Sequence, residues 1–558
     1  MARVNSQILF LTTSPRTPEK MIPEIDLLVK CYQGEKWDSK SQKGFMDILR
    51  EEQFFYGKAE KDPAFSARDR INRAPKALGF VSLSPVISLT PAGNSLLMSK
   101  RKEEVFLRQM LKFQIPSVYH KPTEKATYFW VKPYLEMIRL VRVMGTLSFD
   151  ELQIFGMQLT DWRNFEEIVE KIKSFRVAKS KISKNYKMFK LEYIQQELKR
   201  IYAERISKGD TKTRESKDVS LIKFLKTQSS NMRDYADACF RYLKATGLMN
   251  ISHEGKSLSV IKERINEVDY ILQNVERDPC FVDDECKYVE YLGNPSLPCL
   301  LTDDKDLLLK QIKSEFNEVE IGIGLNASEL KDLLFDLIEN RKQESINKQI
   351  KEIKDYRLYD DIQKVYAQIE NNELFDAPLM LEWNTWRAMT MLNGGNIKAN
   401  LKFDDLGKPL STAQGNMPDI VCDYGEFLLS VEVTMSSGQK QYDMEGEPVS
   451  RHLGKMKKES SKPCYCLFIA PTINPACVAH FYTLHNLSVS YYGGKSIIIP
   501  LPLNIFTKML ADSYNVDYIP SSENVRMLFE YSKELVKTCG NELEWYEAIK
   551  NKALNWLN

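Results

Sequence analysis

The chain lacks what a membrane or a disulfide framework would require. No run approaches the ~18 apolar residues of a membrane-spanning helix, and residues 1–13, though apolar, carry no basic region and cleavage site of a secretory leader. Ten cysteines are scattered over 558 residues. That spread fits a reducing compartment, and Cys280, Cys286 and Cys299 show no paired CxxC spacing, so no zinc site is expected. Histidine is scarce, with five in all, and His120, His253, His480 and His485 stand isolated and are expected to be structural. No GxxxxGK[ST] loop is present, so nothing supports ATP-driven translocation. Neither a short fixed repeat nor a long low-complexity tract is found.

What remains is an ordinary globular balance, 43% hydrophobic and 28% charged, in a chain long enough for two to four domains. The net charge of +2 hides an uneven distribution. Residues 171–226 hold 17 Lys or Arg against 6 Asp or Glu, an excess that attracts polyanions unless it is simply a solvated helical face.

The first 300 residues carry two similar patterns. In the first, Ser66-Ala-Arg-Asp-Arg70 precedes two short β-like pieces at 79–83 and 86–89, and Thr90-Pro91 then caps a new helix. A helix followed by a hairpin suggests a winged helix. Arg68, Arg70, Arg73 and Lys76 become candidates for a DNA groove or its phosphates, against the plainer reading of surface ion pairs. In the second, residues 231–247 have helical period, with Tyr235, Ala238, Cys239, Tyr242 and Leu243 on one face and Gly247 as the C-terminal stop. Two β-like pieces follow around His253-Glu-Gly-Lys256. Asn231, Arg233 and Arg241 are the DNA candidates here. Residues 303–371, rich in opposite charges at i,i+4 spacing, read as a helical connecting arm.

After residue 372 strands alternate with helices, the mark of an α/β domain. Pro418-Asp419 opens one strand, and Asp423-Tyr-Gly-Glu426 is turn chemistry. The return strand alternates, with Phe427, Leu429, Val431 and Val433 on one face and Leu428, Ser430, Glu432 and Thr434 on the other. A hairpin of this length brings Asp419 and Glu432 together. Two carboxylates in an apolar sheet repel unless a cation lies between them, and hard oxygen ligands favour Mg²⁺. The carbonyl of Val433 is a candidate third ligand.

These residues follow the PD…(D/E)xK pattern of restriction-type nucleases in two of its three parts. Thr434 stands where a lysine is expected and carries no charge. Glu445 and His452 are candidates to act on water, the leaving group or a second metal. Glu382, on the preceding helix, could reach the same cluster, and Lys440 and Arg451 could touch phosphate.

The chain resembles the AlwI, PleI, MlyI and BstNBI group of type IIS restriction and nicking endonucleases. The resemblance runs through Ser14-Pro-Arg-Thr-Pro-Glu-Lys20, Ala64-Phe-Ser-Ala-Arg-Asp-Arg70, Gly79-Phe-Val81, Arg233-Asp-Tyr-Ala-Asp237 and Tyr291-Leu-Gly-Asn-Pro-Ser-Leu-Pro298. It continues in Gly415-Asn-Met-Pro-Asp419, Glu432-Val-Thr434, Glu445-Gly-Glu-Pro-Val-Ser-Arg-His452 and Tyr465-Cys-Leu-Phe-Ile-Ala-Pro471. Threonine in place of the lysine is also found in that group. The resemblance implies a bacterial, cytoplasmic enzyme that binds a short asymmetric duplex site such as GAGTC or GGATC and cuts a few bases downstream. Glu382, Asp419, Glu432, Glu445 and His452 are then the expected active-site residues. It further implies a companion DNA methyltransferase and cleavage of one or both strands. Double-strand cutting would use transient dimerisation of cleavage domains or a second nuclease subunit.

The fold expected is multidomain α+β: winged-helix-like recognition subdomains over 1–120 and 121–302, a helical linker over 303–371, and a C-terminal α/β restriction-endonuclease-like domain over 372–558. Two rival readings remain. One is a sequence-specific DNA-binding protein with a degenerate nuclease domain, which would lose the acidic cluster. The other is an interaction protein built on the helical arm, which leaves the basic stretch unexplained.

Overall fold

The structure is a computed structural model and describes residues 2–52, 62–182, 185–213, 216–251, 257–322, 324–371, 373–374, 376–392, 395–404, 407–413, 417–518 and 520–557. The chain divides near residue 337 into two compact units. Among the described residues no helix is long and apolar enough to cross a membrane.

The first unit is mostly helical, with small sheets. Helix Pro63–Ile71 and the short helix Ala74–Ala77 lead into a hairpin, Val81–Ser82 with Ser88–Leu89. Thr90 then accepts a hydrogen bond from the Gly93 N–H, and with Pro91 in the first turn the next helix, Pro91–Met98, is capped from its own sequence. Helix Leu221–Lys244 precedes strands Met249–Ile251 and Ser257–Val260, which pair and are joined by Leu147–Ser148 into a three-stranded sheet. Ala238, Cys239, Tyr242 and Leu243 of that helix are fully buried, and Tyr242 stacks on Tyr134 at 5.7 Å. Gly247, just past the helix, takes φ +69°, which glycine adopts without strain. The turn expected around His253 lies outside the described residues. His120 is buried against Phe113, and burial pushes its pKa down to about 4.

The stretch 303–371 is not a free-standing arm. Helix Ala327–Lys354 runs through the boundary between the units, while Ile353, Ile362, Val365 and Ile369 are buried in the second unit's core. Its charges lie on the outer face, so charge pattern alone hides the apolar stripe beneath them.

The second unit is built on one five-stranded sheet. Its order is Ile498–Pro502, Cys464–Ala470, Leu428–Val433, Ile420–Asp423, Asn396–Ala399. The first three strands are parallel and the last two pairings antiparallel. Cys464–Ala470 is buried along its whole length, as a central parallel strand covered on both faces requires. Cys464 and Cys466 are therefore core residues. Helices Gln439–Glu459 and Pro475–Asn486 make the two parallel crossovers. Helix Ala377–Leu392 packs on the sheet, and helices Leu503–Asn515, Ser522–Leu535 and Glu542–Leu554 complete the unit. His485 is buried among them, bonded to the Phe481 carbonyl and the Ser532 hydroxyl. The edge strand Asn396–Ala399 is not expected from the sequence, because its alternating polar residues give no apolar run.

Candidate active site

The antiparallel hairpin places Ile420 opposite Val431, so the residues just beyond, Asp419 and Glu432, fall side by side. The two strands exchange bonds. The Val433 N–H donates to the Asp419 carboxylate at 2.8 Å, and the Asp419 N–H donates to the Glu432 carboxylate. Glu445 and His452 lie on helix Gln439–Glu459, seven residues apart. Two helical turns put both on one face, and His452 Nδ1 reaches Glu432 Oε1 at 2.8 Å. Glu382 joins from helix Ala377–Leu392 and accepts a hydrogen bond from the Ala413 N–H. All five residues expected from the sequence therefore meet, although they come from a hairpin and two separate helices.

Thr434 has a different task from the lysine it replaces. Buried at the end of the strand, it accepts the Ser436 N–H at 3.0 Å and hydrogen-bonds the Glu445 carboxylate. It holds a carboxylate in place and brings no charge.

The electrostatics are severe. Glu432 is 6% exposed and Glu382 7%. Burial raises the pKa of Glu382, Asp419, Glu432 and Glu445 above the ordinary carboxylate range. Mutual repulsion adds to this: Asp419 and Asp376 act on Glu382, Glu432 acts on Asp419, and Glu445 acts on Glu432. His452 is pushed down to about 4, chiefly by burial and then by Arg451. Charge is thus disfavoured on both partners of the His452–Glu432 contact. The other ring nitrogen, Nε2, is buried without a partner among the described residues. Asp376, 8% exposed and beside Glu382, is an acid the sequence reading missed; as a residue just before a helix it reads as an ordinary cap.

Among the described residues no three His, Cys, Asp or Glu groups already stand in a metal-holding arrangement. The donor chemistry nevertheless fits a hard divalent cation. Four carboxylates crowd together, and none is ion-paired to Lys or Arg among the described residues. A cation is the charge such a cluster lacks.

Comparison with known proteins fits this site. The chain matches the AlwI restriction endonuclease family over residues 76–509, well over half its length. The chain belongs to that family. It is accordingly a site-specific DNA endonuclease, and the family implies a divalent metal cofactor. No curated protein matches. Among solved structures, the small subunit (R.BspD6I2) of the heterodimeric restriction endonuclease R.BspD6I is 25% identical, over 36% of this chain and 95% of its own, with a TM-score of 0.28. The BpuJ1 endonuclease binding domain, solved with pyrene- and phenanthrene-modified DNA, is 15% identical, over 52% and 97%, with a TM-score of 0.33.

The DNA candidates of this family member fall into two groups. Arg68 donates to the Gln42 side chain, Arg70 pairs with buried Glu24 at 2.6 Å, and Arg241 is bonded to Asp237 one helical turn away. These three are tied into the protein. Arg73 is tied as well, to Asp69 at 2.5 Å and to the Thr13 hydroxyl, although it lines a cavity in the first unit with Lys76 and Asn231; Arg233 is exposed.

Proposed function

We propose that the protein is a type IIS enzyme: its first unit binds a short asymmetric duplex site and its second hydrolyses a phosphodiester a few bases away, with Mg²⁺. The observation that carries this reading is the convergence of Glu382, Asp419, Glu432 and Glu445, buried and, among the described residues, ion-paired to no Lys or Arg, with Arg451 acting on Glu432 only at a distance. Asp419 and Glu432, with the Val433 carbonyl, are the residues to hold the ion. When bound, Mg²⁺ supplies Lewis-acid activation of water and neutralises charge on the phosphate. Thr434 fixes Glu445 where it can accept the proton of the attacking water. Neutral His452, anchored through Nδ1 to Glu432, keeps the Nε2 lone pair to accept a hydrogen bond from water, and the 3′ oxygen takes its proton from solvent. The products are a 5′-phosphate and a 3′-hydroxyl. Recognition subdomains over 1–120 and 121–302 are winged-helix-like. Lys76, Asn231 and Arg233 are the better placed DNA contacts, while Arg68, Arg70, Arg73 and Arg241 act through the protein groups they hold. Cutting of both strands would use a second cleavage domain or nuclease subunit, and a companion methyltransferase would protect the host.

The test is supercoiled plasmid incubated with Mg²⁺ or with EDTA, followed by run-off sequencing of both strands. Breaks at a fixed offset from one motif, lost with EDTA and with Asp419→Ala, support the reading; open circles mean nicking and linear products double-strand cutting. DNA bound but left intact with every divalent metal favours a DNA-binding protein with a degenerate nuclease domain.

A further inference from the structure

The cavity in the first unit holds about 610 Å³ and is walled by segments far apart in sequence. Helix Leu221–Lys244 presents Gln228, Asn231 and Tyr235, at i, i+3 and i+7, along one face. Arg73 and Lys76 come from the region of the short helix Ala74–Ala77, and Arg205 and Lys212 from the basic stretch. The lining thus has four cations and no carboxylate among the described residues.

Several of these groups are held ready. The Tyr202 hydroxyl donates to Gln228 Oε1 at 2.9 Å, which leaves the amide nitrogen as the outward donor. Arg205 lies over the Phe224 ring at 5.2 Å and pairs with Asp210 at 3.3 Å. Lys76 sits 4.7 Å above the Tyr119 ring, and neither it nor Lys212 makes an ion pair among the described residues. Thr213 is 9% exposed, lines the cavity, and its hydroxyl has no partner among the described residues. A buried hydroxyl left unpaired is costly unless a ligand completes it.

We infer that this cavity is where DNA sequence is read: Gln228 and Asn231 hydrogen-bond base edges, while Lys76 and Lys212 hold the flanking phosphates. Side-chain amides suit adenine, whose major-groove edge offers one acceptor and one donor side by side. Lys76 and Lys212, which hold no ion pair among the described residues, suit a polyanionic backbone, while Arg205 and Arg73 are already paired with Asp210 and Asp69. The volume exceeds what a single ion needs, and the lining mixes donors, acceptors and rings as a base edge requires. The inference rests on the endonuclease reading and deepens it, because it moves recognition away from the Arg68 and Arg70 helix.

The test uses the full chain and a pool of randomised DNA duplexes, read in two ways. Cleavage with Mg²⁺ followed by sequencing gives the preferred motif. Fluorescence anisotropy in EDTA at several salt concentrations gives affinity without cutting. Gln228→Ala and Asn231→Ala are expected to relax one or two motif positions by roughly tenfold. Lys212→Ala is expected to weaken all duplexes alike and to flatten the salt dependence by about one unit of slope. Lys212 is exposed, so its replacement leaves packing untouched and guards against misfolding of the other variants. An unchanged motif and salt slope in all three variants, with wild type cutting at a defined site, overturns the inference and leaves the enzyme reading standing. Wild-type protein that binds no duplex overturns both.

Discussion

The two units treat buried carboxylates in opposite ways. In the first, each is matched by a cation. Glu24 is paired with Arg70, Glu136 with Arg139 and Arg277, and Glu151 with Arg176. Glu104 and Asp303 share Arg108 and Lys331 in a four-membered network, which pulls Asp303 down to about 2. In the second unit Glu382, Asp419, Glu432 and Glu445 face one another instead. This is no general habit of that unit, since its buried Arg387 is properly paired with Asp361 and bonded to Asn384. Pairing protects stability, because a buried charge without a partner is expensive. Leaving four acids unpaired is costly in the same way, and under the proposed function that cost is the one a cation site would carry. The contrast separates the part of the molecule arranged to stay folded from the part arranged to react.

The contrast can be broken first at the chemistry. Asp419→Ala should lower the cleavage rate by roughly a thousandfold, since metal-ion catalysis is worth several kcal/mol. Its affinity for duplex DNA, measured by anisotropy in EDTA, should stay within a few-fold, because the proposed binding residues lie in the other unit. A variant that still cuts at a tenth of the wild-type rate would remove Asp419 from the centre of the site.

The second break is in the first unit. Arg70→Ala strands Glu24, which is 5% exposed, and should cost about 3 kcal/mol of stability in chemical denaturation. A loss near zero would mean that Arg70 serves DNA rather than Glu24.

Acid sharpens the comparison next. His120 in the first unit, and His452 and His485 in the second, are each pushed, chiefly by burial, from an ordinary 6.5 down to about 4. Between those values the unfolded chain binds more protons, so stability is lost as pH falls through that window, by up to about 3 kcal/mol for each. The raised carboxylates of the second unit act with the opposite sign. There the folded state holds the extra protons, so without metal stability rises as pH falls from the raised values toward the ordinary ones. Hydrogen exchange followed by fragment should show residues 338–557 weakening from pH 6.5 to 4 by less than twice the loss in residues 2–337, because the raised carboxylates offset part of what its two histidines lose. A loss of twice that size or more would contradict the unpaired state of the cluster.

The smallest effect concerns Thr434. Thr434→Val keeps the shape and removes the hydrogen bond to Glu445, and should slow cleavage by roughly tenfold with little change in DNA affinity. No change in rate would leave Thr434 a packing residue.

The pairing of Asp419 with Glu432 was legible because it follows a simple period, whereas Glu382, Glu445 and His452 entered as sequence neighbours and through the family resemblance. Alternation along the strand ending in Glu432 and Val433 puts Glu432 beside Asp419, and a separation of seven puts Glu445 and His452 on one helical face. The bond from Thr434 to Glu445 was not legible, since it depends on how a helix lies over a strand end. The same limit applies to the arginines. Asp237 and Arg241 are four apart and could be read as a pair, whereas Glu24 lies 46 residues from Arg70 and is found only by folding. Arg205, Gln228 and Thr213 escaped notice because no local pattern marks residues that meet across a cavity. The stripe of Ile353, Ile362 and Ile369 was masked by the charges around it.

The most direct measurement is thermal unfolding of wild type and Glu432→Gln, each with and without Mg²⁺. If the cluster is a cation site held at a cost, Mg²⁺ raises the wild-type Tm by a few degrees, as binding to the folded state alone requires. Glu432→Gln then starts with a higher Tm than metal-free wild type and gains much less from Mg²⁺. A wild-type Tm indifferent to Mg²⁺, with Glu432→Gln no more stable than its parent, would contradict the account.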